Sequence, residues 1–219
     1  MPYLWSTTIV VGVGLQILVL AALLRRGWRQ FKGLLAYVVV LLLTTGLDAA
    51  AFYGQDIQFT TSGHYWVNDA VRQFLIFFLV LSLIRAGVAR DPGLLEGARL
   101  LGFGVAAFSV ISLYATRNAE FGVWMTQLSR NLGFLAVVLN LALWAVLLRS
   151  RRRDRTLLMI SGGMGIQMAG KAIGHSLRQM AQITVLPGDL IIVLSHLFCL
   201  YVWWHALRLP APEGDSQLS

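Results

Sequence analysis

Charge and cysteine are what this chain has least of. Only 13% of its 219 residues are Asp, Glu, Lys or Arg, and just 10 of them are acidic. A water-soluble domain carries about a quarter charged residues, so water cannot be the solvent for most of this surface. The single cysteine, Cys199, excludes an intramolecular disulfide and any metal site built on several thiolates. Proline is sparse as well. Pro2, Pro92, Pro187, Pro210 and Pro212 all fall where helix ends or loops are expected, so no helix core is obliged to kink.

Hydrocarbon fills the chain instead. Hydrophobic residues make up 57% of it, with a mean hydropathy of +0.69. Seven apolar stretches, over 8–24, 34–54, 67–86, 98–116, 121–148, 156–178 and 186–207, are each about long enough to cross a bilayer. The linkers between them are too short for a soluble domain. Lipid gives the backbone no hydrogen-bond partners, so such segments must close their bonds internally as α-helices, and the alternation expected of barrel strands is missing. The pattern predicts an all-α bundle of seven transmembrane helices over residues 1–207, followed by a short disordered cytoplasmic tail over 208–219. No basic segment precedes the first apolar run, which is therefore expected to be a retained span and not a cleaved signal.

The cations set the orientation. Arg25, Arg26, Arg29 and Lys32 follow the first span, Arg85, Arg90 and Arg99 flank the third and fourth, and Arg149, Arg151, Arg152, Arg153 and Arg155 link the fifth and sixth. The alternate loops hold far fewer. Cytoplasmic loops keep the excess of positive charge, which predicts an outside N-terminus and a cytoplasmic C-terminus. These collars are suited to anionic lipid headgroups and account for a pI near 10.4 without a nucleic-acid partner, which is not expected. Aromatic residues near the span ends, among them Trp5, Trp28, Tyr65, Trp66, Trp203 and Trp204, fit an interfacial belt.

Polar groups inside the spans are costly in hydrocarbon, so they face the bundle interior, tie helices together or mark a site. In Ser161-Gly-Gly-Met-Gly-Ile-Gln-Met-Ala-Gly-Lys-Ala-Ile-Gly-His, residues Gly163, Gln167, Lys171 and His175 recur every fourth position and share one face, and Arg178 extends the row. Beside that row, Gly170 and Gly174 form a small-xxx-small spacing that lets a neighbouring helix approach closely. The second span adds Asp48 with Thr44 and Thr45, and the third adds Asn68, Asp69, Arg72 and Gln73, of which the last three share a face. The fifth adds Gln127, Arg130 and Asn131, and the seventh Asp189 and His196. At about 1.5 Å rise per residue, Asp48, Arg130, Lys171 and His196 lie roughly 8–16 Å below the outer helix ends. The inner halves, as over 38–43 and 132–146, are nearly continuous hydrocarbon with Asn140 as the main interruption.

This distribution predicts a polar cup open to the outside above a dry inner half. Asp48, Asp69, Arg72, Gln73, Gln127, Arg130, Asn131, Gln167, Lys171, His175, Asp189 and His196 are its candidate ligand-binding residues. The slight excess of cations favours an anionic or zwitterionic small ligand. Interhelical ties and salt bridges of the same composition are the plainer alternative.

Enzymes and cofactors find little support. Ser161 and His196 lie at different depths, which argues against serine protease chemistry. Asp48 and Asp189 lack the paired loops of membrane aspartyl proteases, and His196 and His205 do not share a helix face, so no metal site is expected. The seventh span has no lysine for a retinal Schiff base, and His175 and His196 are offset for haem. The acidic-Arg-Tyr and Asn-Pro-x-x-Tyr signatures of G-protein-coupled receptors are missing. No catalytic residue and no cofactor is assigned.

The stretch Ser129-Arg-Asn-Leu-Gly-Phe, followed by Arg151-Arg-Arg-Asp-Arg-Thr-Leu-Leu-Met-Ile-Ser-Gly-Gly-Met-Gly-Ile-Gln, resembles uncharacterised bacterial seven-helix integral membrane proteins. The resemblance implies a bacterial inner-membrane setting and attaches no activity. The expected role is a receptor or sensor component. A small-solute transporter and a structural or assembly subunit are the alternatives. A sensor would pass its signal to a cytoplasmic protein partner, for which the basic loop at 149–155 is the candidate dock.

Overall fold

The computed structural model describes residues 2–26, 31–53, 62–90, 114, 121–149, 155–180 and 185–209. In it the apolar runs are helices: α1 Pro2–Arg26, α2 Lys32–Tyr53, α3 Ser62–Arg90, α4 Phe121–Arg149, α5 Arg155–Met180 and α6 Val185–Arg208. No strand occurs among the described residues. These helices are the first, second, third, fifth, sixth and seventh expected stretches. The fourth, 98–116, lies outside the described residues apart from Tyr114, as does the expected tail beyond residue 209. Pro2 and Pro187 sit in the first turns of α1 and α6, where the missing N–H removes no intrahelical bond. Helix α3 runs past the expected 67–86 at both ends. Hydropathy marks only the apolar part of a helix, whereas hydrogen bonding carries it through polar turns.

Among the described residues two helices are long and apolar enough to cross a membrane: α1 over Thr7–Arg25 and α6 over Leu186–Arg208, with mean hydropathies of 2.4 and 1.8. Shorter apolar runs, Lys32–Leu47 and Asn131–Ala145, lie in α2 and α4.

Each described helix packs on its neighbour in the chain, and α6 returns to α1, so the six close into a ring. The most extensive contact is between α5 and α6, and glycine explains it. A Cβ at Gly170 would fall on the Ser195 side chain, and one at Gly174 would lie 2.6 Å from the Gly188 carbonyl oxygen. Their absence lets the two backbones approach, which multiplies dispersion contacts along the seam. Gly163 continues it, since a Cβ there would sit 3.2 Å from the Trp203 indole nitrogen.

One end of the ring is solid. Leu23 of α1, Leu34 and Val38 of α2, Leu83 of α3, Leu143 of α4, Leu157 and Ile160 of α5 and Trp203 of α6 are all buried there, at the end where α1 finishes and α2 begins. The polar interruption Asn140 is answered in full: its Nδ2 donates to the Ser161 carbonyl at 3.1 Å and its Oδ1 accepts from the Ser161 hydroxyl at 3.1 Å. Buried amides are tolerated on this condition. The outer faces of the ring are different. Val10, Leu43, Phe78, Phe134, Ile173 and Leu194, one on each helix, are exposed.

Candidate ligand-binding cavity

Towards the opposite end the ring encloses a cavity of about 430 Å³, within the range of roughly 300–1,000 Å³ of small-molecule sites. The lining follows helical periodicity. Thr8, Gly12 and Gln16 project from α1, Tyr37, Leu41, Thr45 and Ala49 from α2, and Gln167 and Lys171 from α5, in each case at every fourth position and so on one face. Arg72 comes from α3, and Ile192, Val193, His196 and Leu197 from α6.

Tyr37 meets the solid half. Its ring stands edge-on to Trp203, with centroids 5.7 Å apart and planes at 76°, a favourable aromatic arrangement. Trp203 is fully buried, and its Nε1 donates to the Ile160 carbonyl at 2.9 Å. Gly163 leaves the room for that indole. A single glycine on α5 therefore positions the aromatic pair that backs the cavity.

The polar groups are held by specific bonds. Arg72 Nε donates to Thr44 Oγ1 at 3.3 Å, and the Thr44 hydroxyl donates to the Leu41 carbonyl at 3.0 Å, which anchors the guanidinium to α2. Gln16 Nε2 donates to Thr45 Oγ1 at 3.3 Å. Across the cavity Gln167 Nε2 and His196 Nδ1 are 2.9 Å apart. With the amide donating, Nδ1 accepts and the neutral ring carries its N–H on Nε2. Two cations, Arg72 and Lys171, line the space, and no acidic residue does so among the described residues. The Gln16 carbonyl oxygen is buried without a hydrogen-bond partner among the described residues, a state that costs about 1–3 kcal/mol.

Of the expected site residues, the structure gathers Arg72, Gln167, Lys171 and His196 around this cavity. Gln73 is turned elsewhere: its Nε2 lies 2.8 Å from where a Cβ of Gly133 would be, in the seam between α3 and α4. Asn131 and Asp189 are half-buried and do not line the space. The side chains of Asp48, Asp69, Gln127, Arg130 and His175 lie outside the described residues. Ser161 is engaged with Asn140. Sequence reasoning passed over Thr8, Gln16 and Tyr37. Gln16 left a signal, since it is the one amide in the apolar run 8–24.

Fold and cavity define a class: a helical ring, apolar outside, that encloses a small-molecule-sized space with polar groups on its wall. No family model, no curated protein and no solved structure matches the chain. Function is therefore read from the cavity itself.

Proposed function

We propose that this chain is a multi-pass protein of a bacterial cytoplasmic membrane, with seven spans, an outside N-terminus and a cytoplasmic C-terminus, whose outward cup binds a small anionic or zwitterionic ligand as a receptor or sensor component. The membrane setting is supported by α1 and α6, by the seven apolar stretches and by large apolar side chains exposed on every described helix. In a water-soluble monomer such faces would be a liability. The ligand reading is carried by one observation: Arg72 and Lys171 reach the same cavity from different helices. Inside a low-dielectric bundle two cations attract an anion far more strongly than they would in water. The solid half beyond Tyr37 and Trp203 favours reception over passage.

The test is purification in mild detergent followed by native mass spectrometry. The expected result is a small acid retained by the parent protein and lost from Lys171→Ala and Arg72→Ala variants that keep the parent's thermal unfolding midpoint. A protein that never retains or binds an acid would defeat the reading. Reconstitution into liposomes then separates sensor from transporter, because substantial uptake of the retained acid would identify a carrier.

A further inference from the structure

The cavity presents a neutral donor on α6. His196 lines the space and is half-buried. Leu190, Leu194, Phe198 and Tyr201 mark the exposed outer face of that helix. At about 100° per residue His196 stands roughly 200° round from Leu194, so the open part of its imidazole faces inwards. Its Nδ1 is taken by the Gln167 amide at 2.9 Å. Nε2 bonds to no described residue, yet Gln16 Oε1 is the one buried side-chain nitrogen or oxygen without a partner among the described residues. Nε2 is therefore accessible, and it is accessible from the cavity. With the amide donating to Nδ1, the neutral imidazole carries its proton on Nε2 and offers an N–H to the space. Gln167 also lies against the Tyr37 hydroxyl, which puts this donor at the inner, Tyr37 end. Leu41, Ile192, Val193 and Leu197 give the cavity much apolar wall.

We infer that the ligand carries a carbonyl-type oxygen on an apolar body, that this oxygen accepts from His196 Nε2 at the inner end of the cavity, and that Gln167 positions the imidazole by fixing its tautomer. The inference rests on the reading that the cavity holds a small molecule, and it draws on no charge of Arg72 or Lys171, both of which interact with other residues. One N–H satisfies a ketone, ester or amide oxygen, whereas a carboxylate accepts at two oxygens and needs several donors. A ligand that is also an acid therefore enters with its carbonyl end leading and its carboxylate towards the mouth. The apolar wall takes the hydrocarbon between them.

Calorimetric titration of the full-length protein in mild detergent compares 5-oxohexanoate with hexanoate and with hexan-2-one. The oxo acid is expected to bind about tenfold more tightly than hexanoate, the worth of one well-made hydrogen bond. In His196→Phe the two acids bind alike, and hexanoate keeps its parent affinity, which reports an intact cavity. Gln167→Met, which keeps the imidazole but removes the group that fixes its tautomer, is the second variant should Phe disturb the packing, and it reduces the preference. Nitrogen-15 NMR of histidine-labelled protein reads the tautomer itself: the imidazole whose signals change in Gln167→Met carries its proton on Nε2 in the parent, and 5-oxohexanoate shifts that signal. Equal binding of the two acids, a preference that survives His196→Phe, or a proton on Nδ1 would overturn the inference and leave the small-molecule reading standing. Binding of hexan-2-one with the same dependence on His196, while neither acid binds, would support the inference and defeat the anionic ligand. Failure of all three to bind would overturn both.

Discussion

Asn140 and Ser161 show how a polar residue earns a place in the solid half. Each satisfies the other, so removing either leaves a buried group stranded. Asn140→Ala and Ser161→Ala are each expected to lower stability by about 1–3 kcal/mol, while the double variant loses less than their sum. Denaturant unfolding in detergent measures this, and strict additivity would show that the two do not act as a pair. At the same scale Gln167 and Lys171 were legible beforehand, because a spacing of four in an apolar helix puts both on one face. Tyr37 and Thr8 were not legible, since each is ordinary near a helix end and only the neighbouring helices make a wall of them. Gln73 illustrates the reverse: it shares the polar turn of Arg72, yet packs at Gly133.

Among the helices, the α5 and α6 pair has the sharpest sequence requirement. Gly174→Ala is expected to destabilise by about 1–3 kcal/mol, as overpacking does, because the new methyl meets Ile192 and the Gly188 backbone. Gly14, with nothing within 4 Å of its would-be Cβ, is the control. Gly14→Ala is expected to be neutral or to stabilise by about 0.5–1 kcal/mol through helix propensity. Thermal unfolding of both variants followed by circular dichroism checks the contrast, and equal effects would mean that the seam is not tight. The glycine spacing was readable from the sequence, whereas its partner was not. Spacing says that a backbone can come close and leaves open which one does.

For the whole molecule the expectations concern sidedness. On the proposed topology, a membrane-impermeant thiol reagent added to intact cells labels Lys171→Cys in a Cys199→Ala background, and Leu143→Cys in the solid half stays unlabelled from either side of the membrane. Labelling of Leu143→Cys, or protection of Lys171→Cys from outside, would contradict a cup that is closed below. Replacing Arg151, Arg152 and Arg153 with Gln is expected to weaken the orientation bias, because on the proposed topology the excess of cations in that loop holds it on the cytoplasmic side. Reporter fusions at the C-terminus would then show a mixed population, and an unchanged one would assign orientation to the other collars.

Composition and hydropathy by themselves determined that the described chain is helical, since long apolar segments can satisfy their own backbone only in that way. They also determined which helix faces carry polar groups, because periodicity is a property of a single helix. Only the tertiary structure decided that α6 closes the ring onto α1, that Trp203 lies over Gly163 to back the cavity, and that Gln16 and Arg72 are joined through adjacent threonines of α2. Those facts depend on which helices meet and at what rotation. Close packing between distant segments sets both, and no local pattern encodes either.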